Sequence, residues 1–165
     1  LGKPSFLNFK DGSLHDERDA PKRIKNVIEN NNPDLVITHA PEDYHPDHRT
    51  LSNYVKNAVG FSCPVLFCET LLGVNFIPEY YVDITKFFQL KKEAIFAHTS
   101  QNPGRFFEAT KILNRFRSAQ CNAPNNHYAE TYRFEKSFPF SDIRQMLPSS
   151  PVYKPYYKNI DEALI

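Results

Sequence analysis

Long apolar runs are missing from this chain. None approaches the roughly 18 residues that a membrane-spanning helix needs, so a membrane partner is not expected. Charge of one sign is missing too. Lys and Arg are spread along the chain with no run longer than two, the net charge is +1, and neither nucleic acid nor an anionic lipid surface has a basic patch to meet. Glycine is scarce, with five in the sequence and no G-x-G-x-x-G among them, which excludes a dinucleotide-binding loop. G-x-S-x-G is absent as well, removing the usual serine hydrolase elbow. The three cysteines, Cys63, Cys68 and Cys121, form no CxxC pair. Neither a disulfide framework nor a thiolate zinc site is indicated, and reduced packing cysteines in a cytoplasmic protein are the simpler reading. No secretory leader is read at residue 1.

What is present suits one globular domain. The 165 residues are 41% hydrophobic and 24% charged, enough to bury about 70% of the unfolded surface. Pro4 to Phe9 reads as a short strand ended by the turn Asp11-Gly12-Ser13. Ile24, Val27 and Ile28 lie at helical spacing between Asp19 and Asn30, and Asn32-Pro33 stops that helix. Asp34 to Thr38 is an apolar strand. Leu51, Tyr54, Val55, Ala58 and Val59 mark one face of a second helix ending at Gly60. Pro64 to Glu69 and Tyr80 to Ile84 read as strands, Lys86 to Ala97 and Phe106 to Ala119 as helices, and Tyr128 to Glu135 as a last strand. Alternation of this kind predicts an α/β, Rossmann-like fold with a mainly parallel sheet and helices on both faces. Prolines recurring after Phe138 predict an extended tail over 138–165, which leaves 1–137 as the domain.

The most informative stretch is Thr38-His39-Ala40-Pro41-Glu42-Asp43-Tyr44-His45-Pro46-Asp47-His48-Arg49. It falls where a strand's C-terminal end passes into a helix, the ligand crevice of open α/β sheets. Pro46 suits the first helical turn, because its missing N–H would have no partner there. His45 and His48 share a helix face at i, i+3. Imidazole titrates near neutrality and is a common zinc ligand. The spacing alone favours a capping role for His48 against backbone over ligation. His39 is read as a core or supporting residue, and Glu42 and Asp43 as loop charges, with contact to substrate as the alternative for an acidic loop beside a metal.

These residues resemble the PIG-L/LmbE-like zinc deacetylases of N-acetylglucosamine-type substrates. The likeness rests on four segments in order: Phe6-Leu7 with Asp11-Gly12; Asn32-Pro33-Asp34 through His39 with His45-Pro46-Asp47-His48-Arg49; Val82-Asp83-Ile84-Thr85, Lys91 or Lys92, and Ala97-His98-Thr99-Ser100-Gln101; and Tyr128-Ala129-Glu130 with Phe134. The family's first metal motif, an Ala-His-Pro-Asp-Asp-Glu-type segment that supplies two zinc ligands and the base, does not occur in the sequence. The chain starts after the point where it should stand, so a missing N-terminal segment, a second copy completing the site in a homo-oligomer, or a degenerate member are the open alternatives.

The resemblance implies Zn2+, or another divalent metal, held by His48. It implies His45 as the group that stabilises the oxyanion and protonates the leaving amine, with Asp47 orienting it. Asp11, Arg49 and Tyr128 are assigned to the substrate, an N-acetyl amino sugar or its conjugate, although turn formation explains Asp11 and strand packing explains Tyr128 about as well. His98 and Gln101 read as helix-end or interface residues. The implied reaction is amide hydrolysis releasing acetate. The alternative is a sugar-binding relative, or a fragment, without activity.

Overall fold

Pro21 at the start and Asn32 at the end delimit the first helix, α1 (Ala20–Asn31). Asn32 adopts a left-handed conformation (φ 40°) and its N–H closes on the Ile28 carbonyl, the usual way a short polar residue ends a helix. α1 buries Ala20 and Ile24 and packs on α2 (Pro46–Val59), which buries Ser52, Val55 and Val59 and ends at Gly60. This computed structural model describes residues 2–136, and the tail expected over 138–165 lies outside them. The described residues group into two compact units, 2–68 with 134–136 and 69–133.

In the first unit, β1 (Val36–His39) and β2 (Val65–Cys68) pair in parallel, with Val36 opposite Val65 and His39 opposite Cys68. Val65 and Phe67 alternate inward on β2 and are buried, as the two-residue period of a strand requires. The strand expected over 4–9 is absent, and those residues carry no regular structure. Asn8 has φ 54°, which breaks an extended run, while Arg23 donates to the Leu7 carbonyl and lies over the Phe9 ring. The Asp11-Gly12 turn forms as read, with Gly12 at φ 76°.

In the second unit, β3 (Tyr80–Asp83) runs antiparallel to β4 (Ala129–Phe134), Tyr80 opposite Tyr132 and Asp83 opposite Ala129. Between them lie α3 (Phe88–Phe96) and α4 (Pro103–Gln120), packed on one another. The α/β class expected from the sequence holds, but the expectation of a mainly parallel sheet is corrected to mixed pairing. One helix between β1 and β2 carries the chain back so that the next strand runs parallel. Two helices between β3 and β4 return it to the end it left, so the following strand is reversed. Inside this unit the Arg117 guanidinium holds both Glu69 carboxylate oxygens, and the Thr131 hydroxyl donates to the same carboxylate at 2.6 Å. Gly73, at φ 57°, leaves the space this cluster needs, because a Cβ there would collide with Glu69.

Candidate metal and proton-transfer site at the end of β1

The polypeptide between β1 and α2 folds back tightly. The Asp43 N–H donates to the Ala40 carbonyl at 3.1 Å, and the Arg49 Nη1 donates to the carbonyls of Asp43 (2.7 Å) and Tyr44 (2.8 Å). Helix α2 then starts on His45, whose extended backbone and Nδ1 acceptor make it the N-cap. The Asp47 N–H donates to that nitrogen at 3.2 Å. A ring nitrogen that accepts a hydrogen bond carries no proton, so neutral His45 keeps its proton on Nε2.

Asp43 sits behind this turn and is 4% exposed. Its Oδ1 accepts from the His45 N–H at 2.8 Å and contacts His48 Nδ1 at 3.0 Å. His48 in turn stacks face to face on His39, with ring centroids 3.8 Å apart and planes 5° from parallel, and Tyr44 meets it edge-on. Burial first, and then the neighbouring His48, push the His39 imidazole below its ordinary value, so His39 is neutral at pH 7. Its Nδ1 is buried and finds no hydrogen-bond partner among the described residues.

His39, Asp43 and His48 offer ligand atoms that lie within 4.8 Å of one another, and imidazole nitrogen with carboxylate oxygen is a donor set suited to zinc. The stacking limits how they could share an ion. A metal binds near the plane of an imidazole, and two stacked rings with centroids 3.8 Å apart and planes 5° from parallel cannot both aim an in-plane lone pair at one ion. His48 can therefore ligate through Nε2 while His39 backs its ring.

The structure brings His45, Asp47, His48 and Arg49 onto the first turn of α2. Asp47 meets His45 through its backbone N–H. Asp47 Oδ2 accepts from the Gly12 N–H at 2.6 Å and Oδ1 from the Leu14 N–H at 3.1 Å, which brings the Asp11 turn to the same helix end. Asp11 and Asp47 line an open hollow with Leu7, Phe9, Leu14 and Leu51. Arg49 serves the loop carbonyls. Tyr128 belongs to the second unit, where its ring stacks on Phe88 at 3.6 Å and its N–H donates to Thr85 Oγ1. His98 is exposed just past α3, its carbonyl accepting from the Gln101 N–H. Sequence reasoning passed over Asp43. Its placement two residues before a helix N-cap, where an aspartate turns back on its own backbone, was the available signal.

Comparison with known proteins gives these arrangements a context. Residues 2–59 match the PIG-L family model, described as GlcNAc-PI de-N-acetylase. A diacetylchitobiose deacetylase of Thermococcus kodakarensis is 29% identical over 146 residues, covering 78% of this chain and 55% of that protein. The chain thus spans little more than half the length of that relative. Among solved structures, the N,N'-diacetylchitobiose deacetylase of Pyrococcus horikoshii aligns with a TM-score of 0.67 at 24% identity, over 87% of this chain and 62% of the other. GalB, the 4-carboxy-2-hydroxymuconate hydratase of Pseudomonas putida KT2440, aligns with a TM-score of 0.67 at 22% identity, over 83% and 65%. At these identities the two structures establish the fold. Among the described residues no helix is long and apolar enough to cross a membrane.

Proposed function

The chain is PIG-L/LmbE-like, and from that premise we propose that it works as part of a zinc-dependent hydrolase that removes acetyl groups from an N-acetyl amino sugar or its conjugate. One observation carries the reading: within the segment that matches the family, His48 stands at the β1-to-α2 junction with Nδ1 engaged by buried Asp43 and Nε2 left for a ligand. The fold does not choose the reaction, since a hydratase and deacetylases share it. The choice rests on side chains at the end of β1.

His48 would hold the metal through Nε2. Bound zinc supplies an acidified water and a Lewis acid for the acyl oxygen. His45 presents Nε2–H beside it, an atom able to donate to developing negative charge on that oxygen and to deliver a proton to the departing amine. Its Nδ1 is held by the Asp47 backbone, which fixes the direction in which Nε2 points. Arg49 keeps the loop folded under both rings. Asp11 is the residue of this unit that we assign to the sugar. The remaining ligands and the water-deprotonating base are those of the Ala-His-Pro-Asp-Asp-Glu-type segment, which this sequence does not contain.

The test is zinc content and acetate release from N-acetylglucosamine-type substrates, on the chain joined to a segment carrying an Ala-His-Pro-Asp-Asp-Glu-type motif, with and without His48→Ala. Loss of both in the variant is expected. Equal zinc occupancy in the two proteins would sink the assignment, and zinc binding without acetate release in the wild type would favour a non-catalytic sugar-binding member.

A further inference from the structure

We propose that Asp43 is the positioning residue of this site: its buried carboxylate holds the His48 ring as the Nδ1–H tautomer, so that Nε2 is the atom offered to a metal. The metal half of this statement rests on the function proposed above, whereas the tautomer half rests on hydrogen bonding within this chain alone.

The contacts leave little choice of tautomer. The Asp43 side chain is 1% exposed, cut off from the water that would otherwise solvate its charge. A desolvated carboxylate needs donors, and Asp43 Oδ1 meets the His45 N–H at 2.8 Å and His48 Nδ1 at 3.0 Å. An unprotonated Nδ1 would set a lone pair against that oxygen, so the proton belongs on Nδ1. A nitrogen that carries a proton cannot take a metal, and Nε2 is left free. This is how a carboxylate behind a histidine fixes which nitrogen ligates.

Two further contacts hold the ring plane. His39 covers one face at 3.8 Å, and Tyr44 meets the ring edge-on at 6.1 Å. The clamp of Arg49 on the Asp43 and Tyr44 carbonyls prevents the loop from carrying Asp43 away. Asp43 could instead be read as a ligand, since its oxygen lies close to both histidines. Ligation through Oδ1 would compete with its bonds to the His45 N–H and to His48, the two contacts that hold the loop and the ring in place. Outer carboxylates of this kind typically change metal affinity about 10–100-fold when removed.

The experiment uses the 15N-labelled chain at about pH 8, where histidine is neutral. The two imidazole nitrogens of His48 are observed in the wild type, Asp43→Ala and Asp43→Asn, and zinc is then titrated into each. Expected are protonated Nδ1 and bare Nε2 in the wild type, a mixture in Asp43→Ala, and recovery of the wild-type pattern in Asp43→Asn, whose side-chain carbonyl still accepts. Zinc should bind Asp43→Ala about 10–100-fold more weakly than wild type, with Asp43→Asn between them. A wild-type His48 that is protonated on Nε2, or a tautomer that Asp43→Ala leaves unchanged, overturns the proposal. The wild-type spectrum suffices for the first outcome even where Asp43→Ala does not fold. Should zinc leave Nε2 unmoved even when the chain is joined to a segment carrying the family's first metal motif, while the tautomer follows Asp43, the metal reading fails and the positioning role of Asp43 stands.

Discussion

Replacing Asp47 with alanine should loosen the attachment of the 11–14 turn to helix α2 and do so through stability. The carboxylate receives two backbone N–H groups, from Gly12 at 2.6 Å and Leu14 at 3.1 Å. Hydrogen bonds to a charged group contribute about 1.5–3 kcal/mol each, with partly exposed ones at the low end. The Gly12 contact is exposed and the Leu14 contact part-buried, which puts the loss from Asp47→Ala at about 2–3 kcal/mol. At about 2–4 °C per kcal/mol for a chain of this size, the melting temperature should fall by about 4–12 °C. Asp47→Asn retains one acceptor and should fall by about half as much. The bond to His45 Nδ1 is unaffected in both, because its donor is the Asp47 backbone. Thermal unfolding gives the magnitude, and amide hydrogen exchange gives the location, since protection should drop at Gly12 and Leu14 before anywhere on α1. A melting temperature within about 2 °C of wild type, with both amides as protected as before, would refute the reasoning.

Arg117→Met should destabilise the chain by about 3–5 kcal/mol in urea unfolding, because it leaves Glu69 charged and buried with its guanidinium gone; an unchanged midpoint would mean water reaches that carboxylate. Burial raises the Glu130 carboxyl, but the hydrogen bond and charge of Lys91 and the Tyr132 hydroxyl together bring it below its ordinary 4.5. Its contribution to stability is therefore complete above that value and lost as the pH falls through the lower folded value, so the melting temperature should drop below about pH 4.5 less steeply in Glu130→Gln than in wild type. His45→Asn keeps an N-cap acceptor and should melt near wild type, yet in the chain joined to a segment carrying the first metal motif it should keep zinc and lose about 10²–10⁴-fold in turnover; loss of zinc at unchanged rate per bound ion would contradict the role given to His45. These 165 residues by themselves should release no measurable acetate, because metal-assisted hydrolysis needs a base and the sequence has no segment matching the family's; zinc-dependent activity from the isolated chain would require one among the residues present.

Element positions were legible wherever hydrophobic period and stop signals agreed. α2 carries apolar residues at helical spacing between Pro46 and Gly60, and it forms over Pro46–Val59. β2 alternates inward at Val65 and Phe67, as its β-branched and aromatic residues suggested. Two readings failed for reasons that period cannot express. Phe6, Leu7 and Phe9 look like a strand, yet Phe6 is 76% exposed and Asn8 is left-handed. An apolar run becomes a strand only where a neighbour pairs with it, and pairing is a tertiary fact. The direction of β4 escaped in the same way, since periodicity is identical for parallel and antiparallel strands and the number of intervening helices decides which end the chain enters from.

The site divides along the same line. His45 and His48 were visible because two imidazoles at i, i+3 behind a helix-starting proline share a face wherever that helix lies. Asp43 was not, because an acidic residue in a polar loop has the same appearance in sequence whether it faces water or is sealed at 4% exposure. Only the fold of residues 40–45 distinguishes the two. The Arg49 clamp and the turn onto the Ala40 carbonyl bring the Asp43 carboxylate under His48, and there its meaning changes from a solvated charge to a fixed acceptor. A histidine motif specifies which rings are available. Which nitrogen each ring presents is set by its second hydrogen bond, to the Asp47 backbone for His45 and to the Asp43 carboxylate for His48. On the proposed tautomers the two rings leave the same helix end with their planes 34° apart, His45 carrying a proton on Nε2 and His48 a lone pair, which is the division of labour that a metal ligand beside a proton donor requires.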